Sequence, residues 1–110
     1  MFGMGKKQHR EIDARQLATM IDAGSALVVD VREPDEFANG HVPGAINLPL
    51  SAFDPATVPH ETGKTVVLNC LGGKRSGMAL DKCATAQAAI DTHLAGGFNA
   101  WAEAGLPVES

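Results

Sequence analysis

The sequence predicts an open α/β domain, a parallel sheet with helices on both faces. Three observations predict it. Residues 26–31 and 65–69 are short, nearly continuous apolar runs, the pattern of strands covered on both sides. Each is followed by a loop and then by a helical pattern, near Pro34 and Arg75, so strand and helix alternate. The second run leads into Cys70-Leu71-Gly72-Gly73-Lys74-Arg75-Ser76, a strand-to-helix junction whose glycines open backbone conformations closed to other residues. In such folds the site lies at the carboxyl ends of the strands.

Residues 1–11 are basic, carry no apolar stretch and read as an N-terminal tail without a secretory signal; residues 12–108 read as the domain. Asp13 caps a helix from 14 to about 23, with Leu17, Met20 and Ile21 on one face and Gly24 as its stop. After the strand 26–31, Pro34 opens a short helix through Phe37 that Asn39 and Gly40 end. Residues 45–48 form a second short strand closed by Pro49. Residues 51–59, punctuated by Pro55 and Pro59, read as loop. The run 65–69, β-branched and apolar, is the strongest strand. Residues 75–89, rich in alanine, leucine and methionine, favour helix. A last strand at 92–95 and a last helix at 98–104, with Gly105 behind it, complete the pattern.

The bulk numbers bound the function. A chain of 110 residues holds one core, and 45% apolar with 20% charged residues is the balance of a globular protein. A formal charge of −4 and a pI near 5.4 lack the basic footprint of a nucleic-acid binder, and no segment is long and apolar enough to span a membrane. Two cysteines, Cys70 and Cys83, are too few for a disulfide scaffold. With helix from Arg75 onward, Cys83 lies about 12 Å down the axis, too far for a bridge to the loop. A reducing cytoplasm is the expected location. His9, His60 and His93 show no metal-ligand spacing with one another or with the cysteines, so no metal site is expected.

The chemistry concentrates at Cys70. A strand-to-loop-to-helix junction turns successive backbone N–H groups toward one point, and the first turn of the helix adds unpaired N–H groups and a positive dipole end. Lys74 and Arg75 add side-chain charge, of which one faces solvent. A thiol among such donors favours the thiolate, its reactive form, and the same donors would hold an anionic group on the sulfur. Asp30 and Arg32 end a buried strand nearby, and Arg32 pairs with Glu36 or Asp30 to brace the loops. His41 sits in a Gly-His-Val-Pro-Gly turn, where it holds backbone groups and does not act as a base. Ser76 caps the helix start or touches the group on sulfur. Cys83 is read as a small core residue and Trp101 as the packing of the last helix on the sheet.

The loop from Cys70 to Ser76 resembles the active-site loop of the rhodanese family, the single-domain sulfurtransferases. Asp30-Val31-Arg32 with Glu36-Phe37 resembles that family's first signature. Gly40-His41-Val42-Pro43-Gly44-Ala45-Ile46-Asn47 resembles its second, and Gly96-Gly97-Phe98 through Trp101, then Gly105-Leu106-Pro107-Val108, its last. The match spans residues 12–108. The resemblance implies a two-step transfer without metal or organic cofactor. The Cys70 thiolate takes a sulfane sulfur from a small anionic donor such as thiosulfate, and the resulting persulfide gives it to cyanide or a thiol. Leu71, Gly72, Gly73, Lys74, Arg75 and Ser76 would bind the substrate. Two other readings stand beside it. One is a persulfide-carrying interaction module whose donor or acceptor is a protein. The other is a cysteine phosphatase, which such a fold also supports but with a loop one residue longer; here four residues separate Cys70 from Arg75.

Overall fold

A computed structural model describes residues 9–110. Along them run β1 (Arg10–Ile12), α1 (Ala14–Asp22), β2 (Ala26–Asp30), α2 (Pro34–Ala38), β3 (Ile46–Asn47), β4 (Thr65–Asn69), α3 (Lys74–Thr85), β5 (Thr92–Leu94) and α4 (Gly97–Glu103). Two short 3₁₀ turns, Leu50–Ala52 and Pro55–Thr57, lie in the loop before β4. The strands form one five-stranded parallel sheet in the order β1-β5-β4-β2-β3. No helix among the described residues is long and apolar enough to cross a membrane.

The continuous apolar runs are what this sheet requires. Successive side chains on a strand alternate between faces, so a central strand with helices on both sides is apolar throughout. In β2 and β4, Val28 and Val67 point into a cluster with Leu17 of α1 and Trp101 of α4. Their neighbours Val29 and Leu68 point into the opposite cluster, with Ala79, Leu80 and Cys83 of α3. The helix ends follow their local chemistry. The Asp13 carboxylate accepts the Gln16 N–H at 2.7 Å at the start of α1. The Trp101 indole N–H donates to the Pro107 carbonyl at 2.7 Å, tying the chain after α4 back to that helix.

Three expectations are amended. Of the expected tail, residues 1–8 lie outside the described residues, while Arg10 and Glu11 belong to β1, which pairs with β5 in the register Glu11↔His93. The helix after Cys70 starts one residue earlier than expected, at Lys74, and ends at Thr85 and not at Ala89. There Gln87 takes a positive φ of 57°, and the turn carries Ala88 and Ile90 back onto the core.

At the carboxyl end of β2, Asp30 (0% exposed) and Arg32 (3%) form a buried pair, Arg32 Nη2 lying 2.8 Å and Nε 3.1 Å from Asp30 Oδ2. The Arg32 main-chain N–H also donates to Asp30 Oδ1 at 2.9 Å, and Nη2 reaches the Gly40 carbonyl at 2.7 Å. The guanidinium lies 4.6 Å from the centre of the Phe98 ring. One pair thus joins β2, the turn after α2, and α4. Arg32→Ala strands a buried carboxylate, and we expect it to lower the unfolding free energy by about 3–5 kcal/mol. Replacing both partners by neutral groups of similar shape, Asp30→Asn with Arg32→Met, should cost clearly less. Urea denaturation of the two proteins checks both values.

Candidate active site

Cys70 follows β4, the central strand, at the carboxyl end of the sheet, where its backbone turns toward α3. Its side chain is almost fully enclosed, at 1% exposure, among Val29, Val31, Leu68 and Ala79 on one side. Its other side is polar. The Gly73 N–H donates to Sγ at 3.1 Å, and the thiol lies 3.5 Å from the Ser76 hydroxyl. Gly73 makes this approach with φ at +108°, a conformation that disfavours a side chain, and it is also the residue that opens α3. Ser76 thus touches the sulfur while its hydroxyl also reaches the Gly73 carbonyl at 3.2 Å.

The loop is held from behind by α4. The Phe98 N–H donates to the Cys70 carbonyl at 2.7 Å and the Asn99 N–H to the Leu71 carbonyl at 3.0 Å. A trans peptide points its N–H opposite to its C=O, so the Leu71 and Gly72 N–H groups face away from α4. Together with the N–H groups of Lys74, Arg75 and Ser76, they donate to no backbone carbonyl among the described residues. Gly97 permits this contact. A Cβ there would sit 2.5 Å from both the Cys70 and Leu71 carbonyl oxygens.

Of the two carboxylates considered for Arg32, Asp30 is the partner, and of the two loop cations Lys74 is the one that faces solvent. Glu36 of α2 does not pair with Arg32. It takes Arg75 in a two-pronged contact, Nη1–Oε1 2.7 Å and Nη2–Oε2 2.9 Å. Arg75 therefore brings its charge already matched, and Lys74, exposed at the first turn of α3, is the charge left facing outward. The Arg75 hydrogen bonds, with a contribution from the Glu33 N–H, overcome the opposing effect of burial and hold the Glu36 carboxyl at about 2, against an ordinary 4.5. His41 stacks on Phe37 with ring centres 3.7 Å apart, and its Nδ1 lies 2.7 Å from the Phe37 carbonyl. It sits with the turn it stabilises and makes no hydrogen bond to the loop. Cys83 is buried on α3, and burial pushes its thiol up, away from the reactive form.

One residue gains a place that metal-ligand spacing does not give it. His93, at 5% exposure on β5, puts Nδ1 2.7 Å from the Ser76 hydroxyl. The signal in the sequence is strand alternation. With Thr92 and Leu94 as neighbours on β5, His93 must take the face opposite theirs, and Leu94 packs with the α1/α4 cluster.

Two predictions follow from this geometry. Gly97→Ala should push α4 off the loop, lowering stability by about 1–3 kcal/mol and slowing alkylation of Cys70, read by thermal unfolding and intact mass. Glu36, whose folded value lies below its unfolded one, adds stability above about pH 4.5 that is lost as pH falls toward 2. Glu36→Gln should therefore be less stable near neutrality and show a flatter stability profile across that acid range in denaturation series.

Comparisons with known proteins agree with this architecture. Residues 13–104 match the rhodanese-like domain family. An uncharacterised protein of Synechocystis sp. is 42% identical over 96 residues, covering 87% of this chain; the chain spans only 54% of that relative's length. A protein of Allochromatium vinosum named a sulfurtransferase is 33% identical over 99 residues, covering 89% of this chain and 92% of its own. The crystal structure of a rhodanese-related protein from Thermoplasma volcanium superposes with a TM-score of 0.76 at 31% identity, covering 92% of this chain and 98% of that one. With its parallel sheet, its loop after the central strand and a match over most of its length, the chain belongs to the rhodanese-like domain family.

Proposed function

We propose that the protein is a sulfurtransferase that carries sulfane sulfur as a persulfide on Cys70, taking it from a small anionic donor such as thiosulfate and giving it to cyanide or a thiol. The observation that carries this reading is the Gly73 N–H aimed at Cys70 Sγ at 3.1 Å, beneath a run of loop amides with no backbone acceptor. In the first step the thiolate attacks the outer sulfur of thiosulfate. A sulfur–sulfur bond forms to Sγ, the bond to the sulfonate sulfur breaks, and sulfite leaves with the electron pair. The terminal sulfur of the persulfide then carries the negative charge, and preformed main-chain donors stabilise such charge without reorganising. In the second step cyanide attacks that terminal sulfur, thiocyanate departs, and the Cys70 thiolate is restored. Lys74 draws the dianionic donor to the mouth of the loop.

A carrier that exchanges sulfur with a protein is favoured by a separate observation. Leu71 in the loop and Met78, one turn along α3 from Lys74, are exposed apolar side chains, at 39% and 47%. Such a rim suits contact with an apolar partner surface better than with a small oxyanion. A phosphatase is disfavoured by the short loop and by Arg75, whose two guanidinium prongs are engaged by Glu36 and not directed at a phosphate.

Incubation with thiosulfate should add the mass of one sulfur atom, seen by intact mass and removed by cyanide. Cys70→Ser should abolish the gain and Cys83→Ser should keep it. Slow loading from thiosulfate with fast loading from a persulfidated protein would favour the carrier. A gain that survives Cys70→Ser, or rapid turnover of an aryl phosphate in its place, would overturn the sulfur-transfer reading.

A further inference from the structure

A line of hydrogen-bonding groups runs from the enclosed sulfur to the protein surface. Cys70 Sγ lies 3.5 Å from Ser76 Oγ, which lies 2.7 Å from His93 Nδ1, and His93 Nε2 lies 3.3 Å from Glu11 Oε2. Ser76 is fully buried and His93 is 5% exposed, whereas the Glu11 side chain is 60% exposed. Strand register holds the outer end together, because Glu11 of β1 stands directly beside His93 of β5. Three elements, β1, α3 and β5, thereby meet on one atom chain.

The polarity of the line is fixed by its end. An ionised Glu11 can only accept, so His93 carries its proton on Nε2 and presents the lone pair of Nδ1 to Ser76. The single hydroxyl proton of Ser76 has two acceptors within reach, the Gly73 carbonyl at 3.2 Å and Nδ1 at 2.7 Å; when it turns to the shorter contact its oxygen is left to accept from the Cys70 thiol. Burial, with His9 beside the ring, lowers the proton affinity of His93 by more than Glu11 raises it, so near neutral pH the ring is neutral and Nδ1 offers its lone pair. The other charged groups around the line are accounted for. His9 lies edge-on to His93, with centroids 6.0 Å apart, and is itself 3.0 Å from Asp81 of α3. Arg75, close enough to feel a Cys70 charge, is paired with Glu36.

We propose that His93 is the positioning residue that takes the Cys70 proton through Ser76, making the thiolate inside an enclosure that bulk water hardly reaches. The proton moves from Sγ to Ser76 Oγ as the Ser76 proton moves to His93 Nδ1. The products are a thiolate held by the Gly73 N–H and an imidazolium held by Glu11, with no other bond changed. When an acceptor thiolate has taken the persulfide sulfur and the Cys70 thiolate is restored, the proton held on His93 returns to Sγ by the same line. This inference rests on Cys70 being the sulfur-carrying nucleophile, and the test separates the two claims.

The readout is the pH profile of Cys70 alkylation by the uncharged reagent iodoacetamide, in the full chain carrying Cys83→Ser, followed by intact mass. His93→Asn and Ser76→Ala should each slow alkylation near neutral pH by about tenfold, the effect of moving a thiol titration by one unit. The deficit should vanish at alkaline pH, where hydroxide ionises the thiol directly. The double variant should be no slower than either single one, since both break the same line. Loading from thiosulfate should fall by the same factor. Glu11→Gln, on the exposed edge strand, should act in the same direction with a smaller effect. It keeps the test open if His93→Asn does not fold, as does an NMR titration of His93, which Cys70→Ser should shift. A profile unchanged in Ser76→Ala and Glu11→Gln, with a His93 titration indifferent to Cys70→Ser, would overturn the relay and leave sulfur transfer standing. His93-dependent alkylation without any persulfide from thiosulfate or a protein donor would sustain the relay and overturn sulfur transfer.

Discussion

Two hydrogen bonds from the start of α4 to the Cys70 and Leu71 carbonyls fix the orientation of the peptide planes on which the loop chemistry depends. Without them the loop after β4 would be a flexible, glycine-rich connection whose amides could point anywhere. With them, carbonyls face α4 and N–H groups face the opposite side. The arrangement requires that α4 approach to backbone contact, and only a residue without a side chain at position 97 allows this. Packing between the last helix and the sheet, anchored by buried Trp101, therefore reaches directly into the geometry around the sulfur.

Charge is disposed with similar economy. Asp30 and Arg32 neutralise each other inside the fold, and Glu36 and Arg75 do so at its rim. Both pairs brace loops, and neither leaves an uncompensated charge against Sγ. The field at the sulfur then comes chiefly from main-chain dipoles and the first turn of α3, which are fixed in place and are less exposed to screening by salt than mobile side chains. An arginine held in a two-pronged contact has little freedom to follow a ligand, whereas Lys74 does.

Much of this was legible in the sequence, and what was not has physical reasons. β4 is readable to the residue because a central strand in a parallel sheet is apolar on both faces and ends abruptly at the polar junction. β1 escapes because it is an edge strand of three residues, two of them charged and exposed, with only Ile12 buried. Helix propensity overshoots at residues 86–89, where tertiary packing of Ala88 and Ile90 outweighs the alanines' preference. The position of Cys70, Gly73 and Ser76 follows from spacing along one strand–loop–helix unit. Which carboxylate meets which arginine does not, because α2 is placed by contacts remote in sequence. The His93–Ser76 contact is remote in the same way, joining β5 to α3.

The short first strand has one more consequence. Because β1 covers the outer side of β5, Arg10 and Glu11 shield backbone groups that would otherwise be bare. A protein trimmed to begin at Ile12 would keep every residue of the loop yet present β5 as an open, unprotected margin, ready to recruit strands from other molecules. Self-association and precipitation, with the sulfur's surroundings still formed, are what such trimming would bring.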